Sequence, residues 1–344
     1  MPLAHWTRRL AVAGVLLALA VVGLGAYVRL SAAGLGCPDW PGCYGQLTPA
    51  GAEHRAQATY PARPFEAGKA WREMAHRYAA GTLGLLILFI AALALLARGR
   101  VGASTPYALG LLGLVIVQAL LGMLTVTWQL KPLIVTLHLL CGLATLGLLW
   151  WLVLSLPLTP WSSAAVRAPA HRMSGGGARP LAAARRLVVL ALAALAVQIF
   201  LGGWTSSNYA AIACPDLPTC QGVLWPRADF RHAFVLWRGV NLNYEGGGLA
   251  EPARVAIHLT HRLMALAASA ALLGAAGFVL KTRSLAAAHS SAWAVLGALA
   301  LQLTIAVSMV RHGFPLWLAT AHNLGAALLL LATLALLRSL TRAG

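Results

Sequence analysis

The sequence predicts an all-α membrane protein with eight transmembrane helices arranged in tandem as two pseudo-symmetric four-helix bundles. Hydrophobic residues make up 60% of the 344 residues and charged residues 10%, with a mean hydropathy of +0.75. This composition is typical of polytopic membrane proteins and argues against a soluble enzyme. Apolar runs of about the 20 residues needed to span a bilayer recur along the chain, and motifs repeat in the same order in its two halves.

Each apolar run is long enough to form one spanning helix. The first run follows Arg8 and Arg9 and resembles a signal peptide, but its length and the lack of a convincing cleavage site favour a transmembrane helix. The eight predicted helices fall near residues 10–30, 74–97, 106–127, 132–156, 183–204, 255–280, 290–310 and 315–337.

A duplicated cysteine motif indicates an internal repeat. The heptad C-P-D-x-P-x-C occurs at Cys37–Cys43 and again at Cys214–Cys220. Each half also contains a glutamine followed by a histidine at the same spacing, and these pairs are Gln118 with His138 and Gln302 with His322. With four helices in each half, the repeat is parallel rather than inverted. We predict an N-terminal half at 1–156, a cytoplasmic linker rich in Pro, Ser, Gly and Arg at 157–182, and a C-terminal half at 183–344.

The charges predict how the chain is oriented in the membrane. The short connections 98–105 and 281–289 carry two basic residues each, against one each in 128–132 and 311–314. Because basic residues favour the cytoplasmic side, we expect cytoplasmic termini and long loops on the outer side. The net charge of +18 comes largely from residues that flank apolar runs, so the expected partner is the lipid bilayer and not nucleic acid.

Two pairs of histidines are candidate cofactor ligands. His76 is predicted at the outer start of the second helix and His138 about seven residues into the fourth, which at 1.5 Å per residue places both roughly 5–10 Å below the outer surface. His261 and His322 match this placement in the second half. A single membrane histidine is more often a packing residue, but paired imidazoles on facing helices of a bundle are a usual way to hold a heme iron. Zinc or copper would need further ligands nearby.

The residues beside the first histidine differ between the halves. Glu73 lies three residues before His76, on the same helical face, and its counterpart is His258. This asymmetry predicts one site that reacts and one that relays electrons. Glu73 could accept a proton or stabilise positive charge, or be an exposed residue at a helix N-terminus. Arg77 and Arg262 are candidates for binding heme propionates, or else anchors at the membrane interface.

Each heptad could close a disulfide. Five residues, including two prolines that bend the chain, separate Cys37 from Cys43 and Cys214 from Cys220, and four outer cysteines fit an oxidising compartment. A structural staple and a redox-active pair both remain open, with Cys37 and Cys43 the better redox candidates. Cys141 has no cysteine counterpart in the second half and is interpreted as a core residue.

Together these residues resemble the heme A synthase family, membrane enzymes that convert heme O to heme A for cytochrome oxidase. The resemblance covers the whole chain and includes the E-x-x-H-R motif at 73–77, the later histidines and the outer cysteine pairs. It implies oxidation of the C8 methyl group of heme O to a formyl group by two successive hydroxylations and loss of water. The implied roles are catalysis by Glu73, substrate heme ligation by His76 and His138, and ligation of a heme b cofactor by His261 and His322.

The resemblance also implies a bacterial inner membrane location. Heme O is the implied substrate, the electron donor is unidentified, and heme O synthase and cytochrome oxidase assembly factors are candidate partners; a homo-oligomer is left open. The outer-loop segments 229–232 and 241–245 look like those of bacterial members and have no assigned role.

Three other functions compete with this one. A di-heme b-type electron carrier or quinol oxidoreductase would use the same four histidines, but it has no need of the asymmetry between Glu73 and His258. A membrane thiol oxidoreductase would leave the histidines unexplained. A heme transporter would need a path for heme across the membrane, and the sequence does not show one.

Overall fold

The computed structural model describes residues 2–61, 64–96, 105–156, 178–239 and 242–342. Within these residues eight helices are long and apolar enough to span a membrane, which confirms the predicted all-α membrane fold. They are α1 (Pro2–Leu30), α2 (Ala67–Leu96), α3 (Thr105–Thr127), α4 (Pro132–Ser155), α5 (Ala178–Ser207), α6 (Glu251–Lys281), α7 (His289–Arg311) and α8 (Leu316–Arg342).

The second helix is longer than its apolar run. α2 begins at Ala67, about two turns before the predicted start at residue 74. Its early turns are helical because Ala70 and Met74 pack, fully buried, against the first outer loop. Glu73 and His76 therefore lie inside a helix, about two turns from its start, and not at its outer end as predicted.

Three further helices begin earlier than predicted, and of these α1 begins at Pro2 instead of 10. α6 begins at Glu251 instead of 255 and α5 at Ala178 instead of 183. The added turn of α5 contributes Leu181 to the main buried cluster, so packing stabilises it beyond the apolar run. The rest of the predicted linker, up to residue 177, lies outside the described residues.

In each predicted half the four helices form a closed ring of contacts, in which every helix contacts two others of that half. α1 contacts α2 and α4, and α3 contacts the same two helices; α5 contacts α6 and α8, and α7 contacts these two in turn. α1 with α8, and α4 with α5 and α8, join the halves. Such contacts are compatible with two bundles, whose pseudo-symmetry stays a prediction.

The loop between α5 and α6 contacts helix ends of both halves. The Trp204 indole donates to the Ala233 carbonyl at 3.0 Å, and the Tyr244 amide donates to the Gln129 carbonyl at 3.1 Å. Lys131 is buried, donates to the Gly239 carbonyl at 2.5 Å and lies 3.0 Å from the centroid of the Trp237 ring. Gly239, Trp237 and Tyr244, the last in a segment without a predicted role, thus connect this loop to the N-terminal half.

Candidate functional site

His76 and His138 face each other across the first half. Their ring centroids lie 6.4 Å apart with planes inclined by 76°. Neither Nδ1 has a hydrogen-bond partner among the described residues, although both are buried. Since a nitrogen ligand lies about 2 Å from a metal and the ring centroid about 1 Å behind it, two imidazoles sharing a metal have centroids about 6 Å apart. The separation of the first histidine pair is therefore the one expected for two imidazoles that share a metal ion.

Glycines on neighbouring helices leave room for the rings. A Cβ on Gly25 of α1 would lie 2.9 Å from Cε1 of His76, and a Cβ on Gly202 of α5 would lie 3.2 Å from Cε1 of His261. Gly25 stands as far before Cys37 as Gly202 stands before Cys214, so the two glycines correspond in the repeat. The first contact is closer than real Cβ atoms come, so a side chain at position 25 would force the His76 ring to shift.

The second histidine pair, His261 and His322, has amide neighbours. Gln198 Nε2 lies 3.2 Å from Nδ1 of His261, and Gln302 Nε2 lies 3.2 Å from Nδ1 of His322. Each of these amide nitrogens also lies 3.4 Å from Nε2 of the same ring. In the first half Gln118 Nε2 likewise lies 3.4 Å from Nε2 of His138. The first predicted pair comes together, and each histidine of the second pair contacts a glutamine.

Glu73 is a buried carboxylate with two partners. Only 4% of its surface is exposed, so it is not an exposed residue at a helix N-terminus. Its Oε2 accepts from the Cys37 amide at 2.9 Å, and its Oε1 lies 2.5 Å from Nη2 of Arg77. A buried charge needs such compensation, since removing one partner is strongly destabilising. Glu73 therefore connects the helix that carries His76 to the first disulfide loop.

His258, the counterpart of Glu73, is also buried. Its Nε2 lies 3.3 Å from Nε of Arg262, and its ring stands edge-to-face with Phe314 at 6.4 Å. Its Nδ1 has no hydrogen-bond partner in the described part of the chain. The predicted chemical difference between the halves is therefore a difference between two buried groups that contact corresponding arginines.

The two arginines bind loop carbonyls. Nη1 of Arg77 donates to the carbonyls of Asp39 at 2.9 Å and Gly42 at 2.5 Å. Arg262 binds the corresponding carbonyls, those of Asp216 at 2.9 Å and Thr219 at 2.8 Å. A guanidinium can hold several acceptors in its plane, so each arginine clamps its heptad loop onto the helix that carries the first histidine. Contact with heme propionates stays a prediction.

The heptads form disulfides as predicted. Cys37–Cys43 and Cys214–Cys220 have Cα–Cα distances of 4.8 and 4.5 Å, and all four residues are buried. Whether either is redox-active stays open. Cys141 has a free thiol and is only partly buried.

The third residue of each heptad closes its loop. In the first loop the Asp39 carboxylate accepts the amides of Tyr44 at 2.6 Å and Gly45 at 2.7 Å. In the second, Asp216 accepts the amides of Gln221 and Gly222. The pKa of Asp216 is held below its usual value, first by the Thr219 hydroxyl and then by these amides.

Comparison with known proteins shows which family the chain belongs to. The profile of the COX15-CtaA family, described as cytochrome oxidase assembly protein, matches residues 8–334. The chain belongs to the COX15-CtaA family. Heme A synthase of Shewanella oneidensis is 41% identical over 91% of this chain and 90% of its own. Heme A synthases of Methylobacterium nodulans and Rhodopseudomonas palustris are 30% and 28% identical, each over 91% of this chain and over 86% and 84% of their own lengths.

Sequence reasoning missed two features of this COX15-CtaA site. It did not find Gln198, which contacts His261. Gln198 stands as far before Cys214 as Val21 stands before Cys37. An alignment of the halves on their heptads would therefore have shown an amide where the other half has an apolar side chain. The arginine clamp had no such signal, since Arg77 and its acceptors are far apart in sequence and meet only when the loop folds back.

Proposed function

We propose that this protein is a heme A synthase that oxidises the C8 methyl group of heme O to a formyl group. The observation that carries the proposal is a pair of facing imidazoles, His76 and His138, with a buried carboxylate, Glu73, one turn before the first of them. The other half repeats the imidazoles and places His258 where the carboxylate stands. Relatives named heme A synthase span most of the chain.

His76 and His138 bind the iron of the substrate heme O, and His261 and His322 bind heme b. Heme b, when bound, supplies a one-electron redox centre. Two observations support the substrate site. The Nδ1 atoms of the first pair are buried without a hydrogen-bond partner among the described residues, and Gly25 leaves room beside the His76 ring.

Glu73 is the catalytic residue. Its carboxylate, oriented by the Cys37 amide and Arg77, stabilises positive charge that develops near His76 and can hold a proton at Oε1 when the Arg77 contact opens. Arg77 and Arg262 hold the two loops over the sites. No corresponding acid exists at the second pair, where the equivalent residue is an imidazole, so the second half relays electrons.

The protein lies in the bacterial inner membrane with its termini in the cytoplasm. The connections 98–105 and 281–289, on the same side as the termini, carry more basic residues than those on the other side, which favours this orientation. It places both disulfide loops on the oxidising outer side. Heme O synthase is the protein expected to deliver the substrate.

Histidine variants test the assignment of the two sites. His261→Ala and His76→Ala should be purified from cells that make heme O, and their hemes extracted and quantified. His261→Ala should lose bound heme b, whereas His76→Ala should retain heme b and make no heme A. Full heme b in His261→Ala would refute the ligand assignment, and heme A from His76→Ala would refute the substrate site. A di-heme electron carrier would instead contain heme b at both pairs and leave heme O unchanged.

A further inference from the structure

The two heptad loops expose apolar side chains at corresponding positions. In the first loop Trp40 is 42% exposed and Leu47 81%, and in the second Leu217 is 38% exposed and Leu224 72%. Trp40 and Leu217 each lie three residues after the first cysteine of their heptad, and Leu47 and Leu224 each lie ten residues after it. A single exposed leucine needs no explanation, but the same exposed apolar positions in both halves indicate a shared contact. We call these four side chains the apolar tips.

The apolar surface of the second loop extends beyond its tip. Val223 and Trp225, on either side of Leu224, are 50% and 65% exposed. The Trp225 ring stacks on the Phe230 ring with centroids 6.3 Å apart, and Phe230 is 44% exposed. Exposed apolar surface of this kind marks a site of contact with protein or membrane, and tryptophan is enriched where a membrane meets water.

The first tip lies beside the start of the apolar run of α2. The Tyr78 hydroxyl donates to the Leu47 carbonyl. Tyr78 is 43% exposed on a helix that is long and apolar enough to span the membrane. Because long side chains on a helix point back toward its N-terminus, the hydroxyl lies near the level of residue 74, where the apolar run begins. Leu47 is therefore at the depth of a membrane interface.

The second loop lies at the corresponding level of α6. Cys220 packs in one buried cluster with Val255 and Leu259, and the apolar run of α6 begins at Val255. The Cys220 amide donates to the Val223 carbonyl at 2.8 Å, so the exposed segment 223–225 begins beside this cluster. Both loops thus bring apolar side chains to the level at which a spanning helix enters the membrane.

Basic side chains accompany both tips. Arg55 is exposed, and its Nη1 lies 3.5 Å from a backbone carbonyl of the first loop. In the second loop Arg227 and Arg231 are exposed, while Asp229 between them pairs with His232 at 2.6 Å. Apolar side chains beside exposed guanidinium groups fit the boundary between acyl chains and anionic headgroups.

We infer that the apolar tips of both heptad loops insert into the phospholipid interface on the side of the long loops. Each disulfide loop is then anchored to lipid as well as to its helix. The first loop also binds Glu73 through the Cys37 amide, so lipid contact restrains the loop that orients this carboxylate. The inference does not rest on the proposed function, and a protein that makes no heme A would leave it standing.

Spin labels on single cysteines test the inference in the full-length protein. In a Cys141→Ser background, in which the heptad cysteines stay paired, Leu47→Cys and Leu224→Cys are labelled. The labelled proteins are reconstituted in vesicles of phosphatidylethanolamine and phosphatidylglycerol. Collision rates of the label are then measured with oxygen, which concentrates in lipid, and with a water-soluble nickel chelate on both sides of the vesicle.

Two matched cysteine variants calibrate the ratio of the two collision rates. Gln57→Cys is at an exposed position of the polar helix Glu53–Thr59 in the same loop as Leu47 and reports water. Leu85→Cys, at a 68% exposed position of α2, reports lipid. At Leu47 and Leu224 the oxygen-to-nickel ratio should be several-fold above that of Gln57. A ratio like that of Gln57 at either tip overturns the inference, and so do low rates with both reagents, since a protein partner or a second copy would then cover the tips.

Tryptophan fluorescence tests the inference without introduced cysteines if one of these variants does not fold. Wild type and Trp225→Phe are reconstituted in plain vesicles and in vesicles of phospholipids brominated near the headgroup. The difference between the two proteins is the emission of Trp225, which is 65% exposed. This difference should be present in plain vesicles and largely quenched by bromine. An equal difference in both kinds of vesicle overturns the inference.

Discussion

The Arg77 guanidinium lies 2.5 Å from the Glu73 carboxylate, one helical turn away, and 12% and 5% of these side chains are exposed. The same arginine binds the carbonyls of the first heptad loop, and the same carboxylate binds the Cys37 amide. Loop, acid and the helix that carries His76 are therefore one connected unit. A substitution at Glu73 should change both chemistry and stability.

Glu73→Gln should lower heme A production and destabilise the fold. The amide keeps an acceptor for Cys37 but leaves the buried Arg77 charge without its partner, a loss of about 3 kcal/mol. Denaturant unfolding in detergent measures it. The control is Glu66→Gln, which removes the exposed pair with Lys69 and should cost less than about 1 kcal/mol. Equal stability losses in the two variants would contradict the connected unit.

Arg77→Lys should loosen the first heptad loop. Lysine keeps the charge, but a single ammonium cannot bind the Asp39 and Gly42 carbonyls and the Glu73 carboxylate with the geometry of the guanidinium. Hydrogen exchange of the amides in residues 36–46 should become roughly tenfold faster, since charged hydrogen bonds contribute about 1.5–3 kcal/mol each. Arg72→Lys is the control because Arg72 donates to the Gly68 carbonyl of its own helix and lies over the Tyr27 ring of α1; it should leave this exchange unchanged.

Thiol counting should distinguish the one free cysteine from the four paired ones. The chain has five cysteines, of which Cys141 is free and the others form disulfides. Maleimide labelling of the protein in denaturant should add one label without reductant and five after reduction, as read by intact mass. Three labels before reduction would mean that one heptad is open in the purified protein.

Acid should loosen the second heptad loop through Asp216. Its pKa is lowered in the folded state by the Thr219 hydroxyl and by backbone amides, so its stabilisation is present above the unfolded pKa of about 3.9 and is lost as pH falls through the lower folded value. Amide exchange in residues 214–223, corrected for its intrinsic pH dependence, should be constant from neutral pH to about 5 and rise at the acid end. Asp216→Asn should raise exchange at all pH values and remove this dependence; a pH response that survives in the variant would assign it to another group.

Some parts of the site could be predicted from sequence because their signals are local. His76 and His138 stand out as ionisable residues in apolar runs, and the two heptads align the halves by themselves. The start of α2 could not be predicted, since hydropathy does not detect turns that are stabilised by burying Ala70 and Met74 against a loop. The acceptors of Arg77 are likewise set by how that loop folds back, which no spacing in the sequence encodes.

Formation of heme A in cells that make heme O tests the central claim most directly. The wild-type chain, Glu73→Gln and an empty vector are expressed in such cells, and the extracted hemes are separated by chromatography and identified by mass. Heme A should appear with the wild type, fall strongly with Glu73→Gln and be absent with the vector. Unchanged heme O with heme b bound to a folded wild-type protein would contradict the account and favour a di-heme electron carrier.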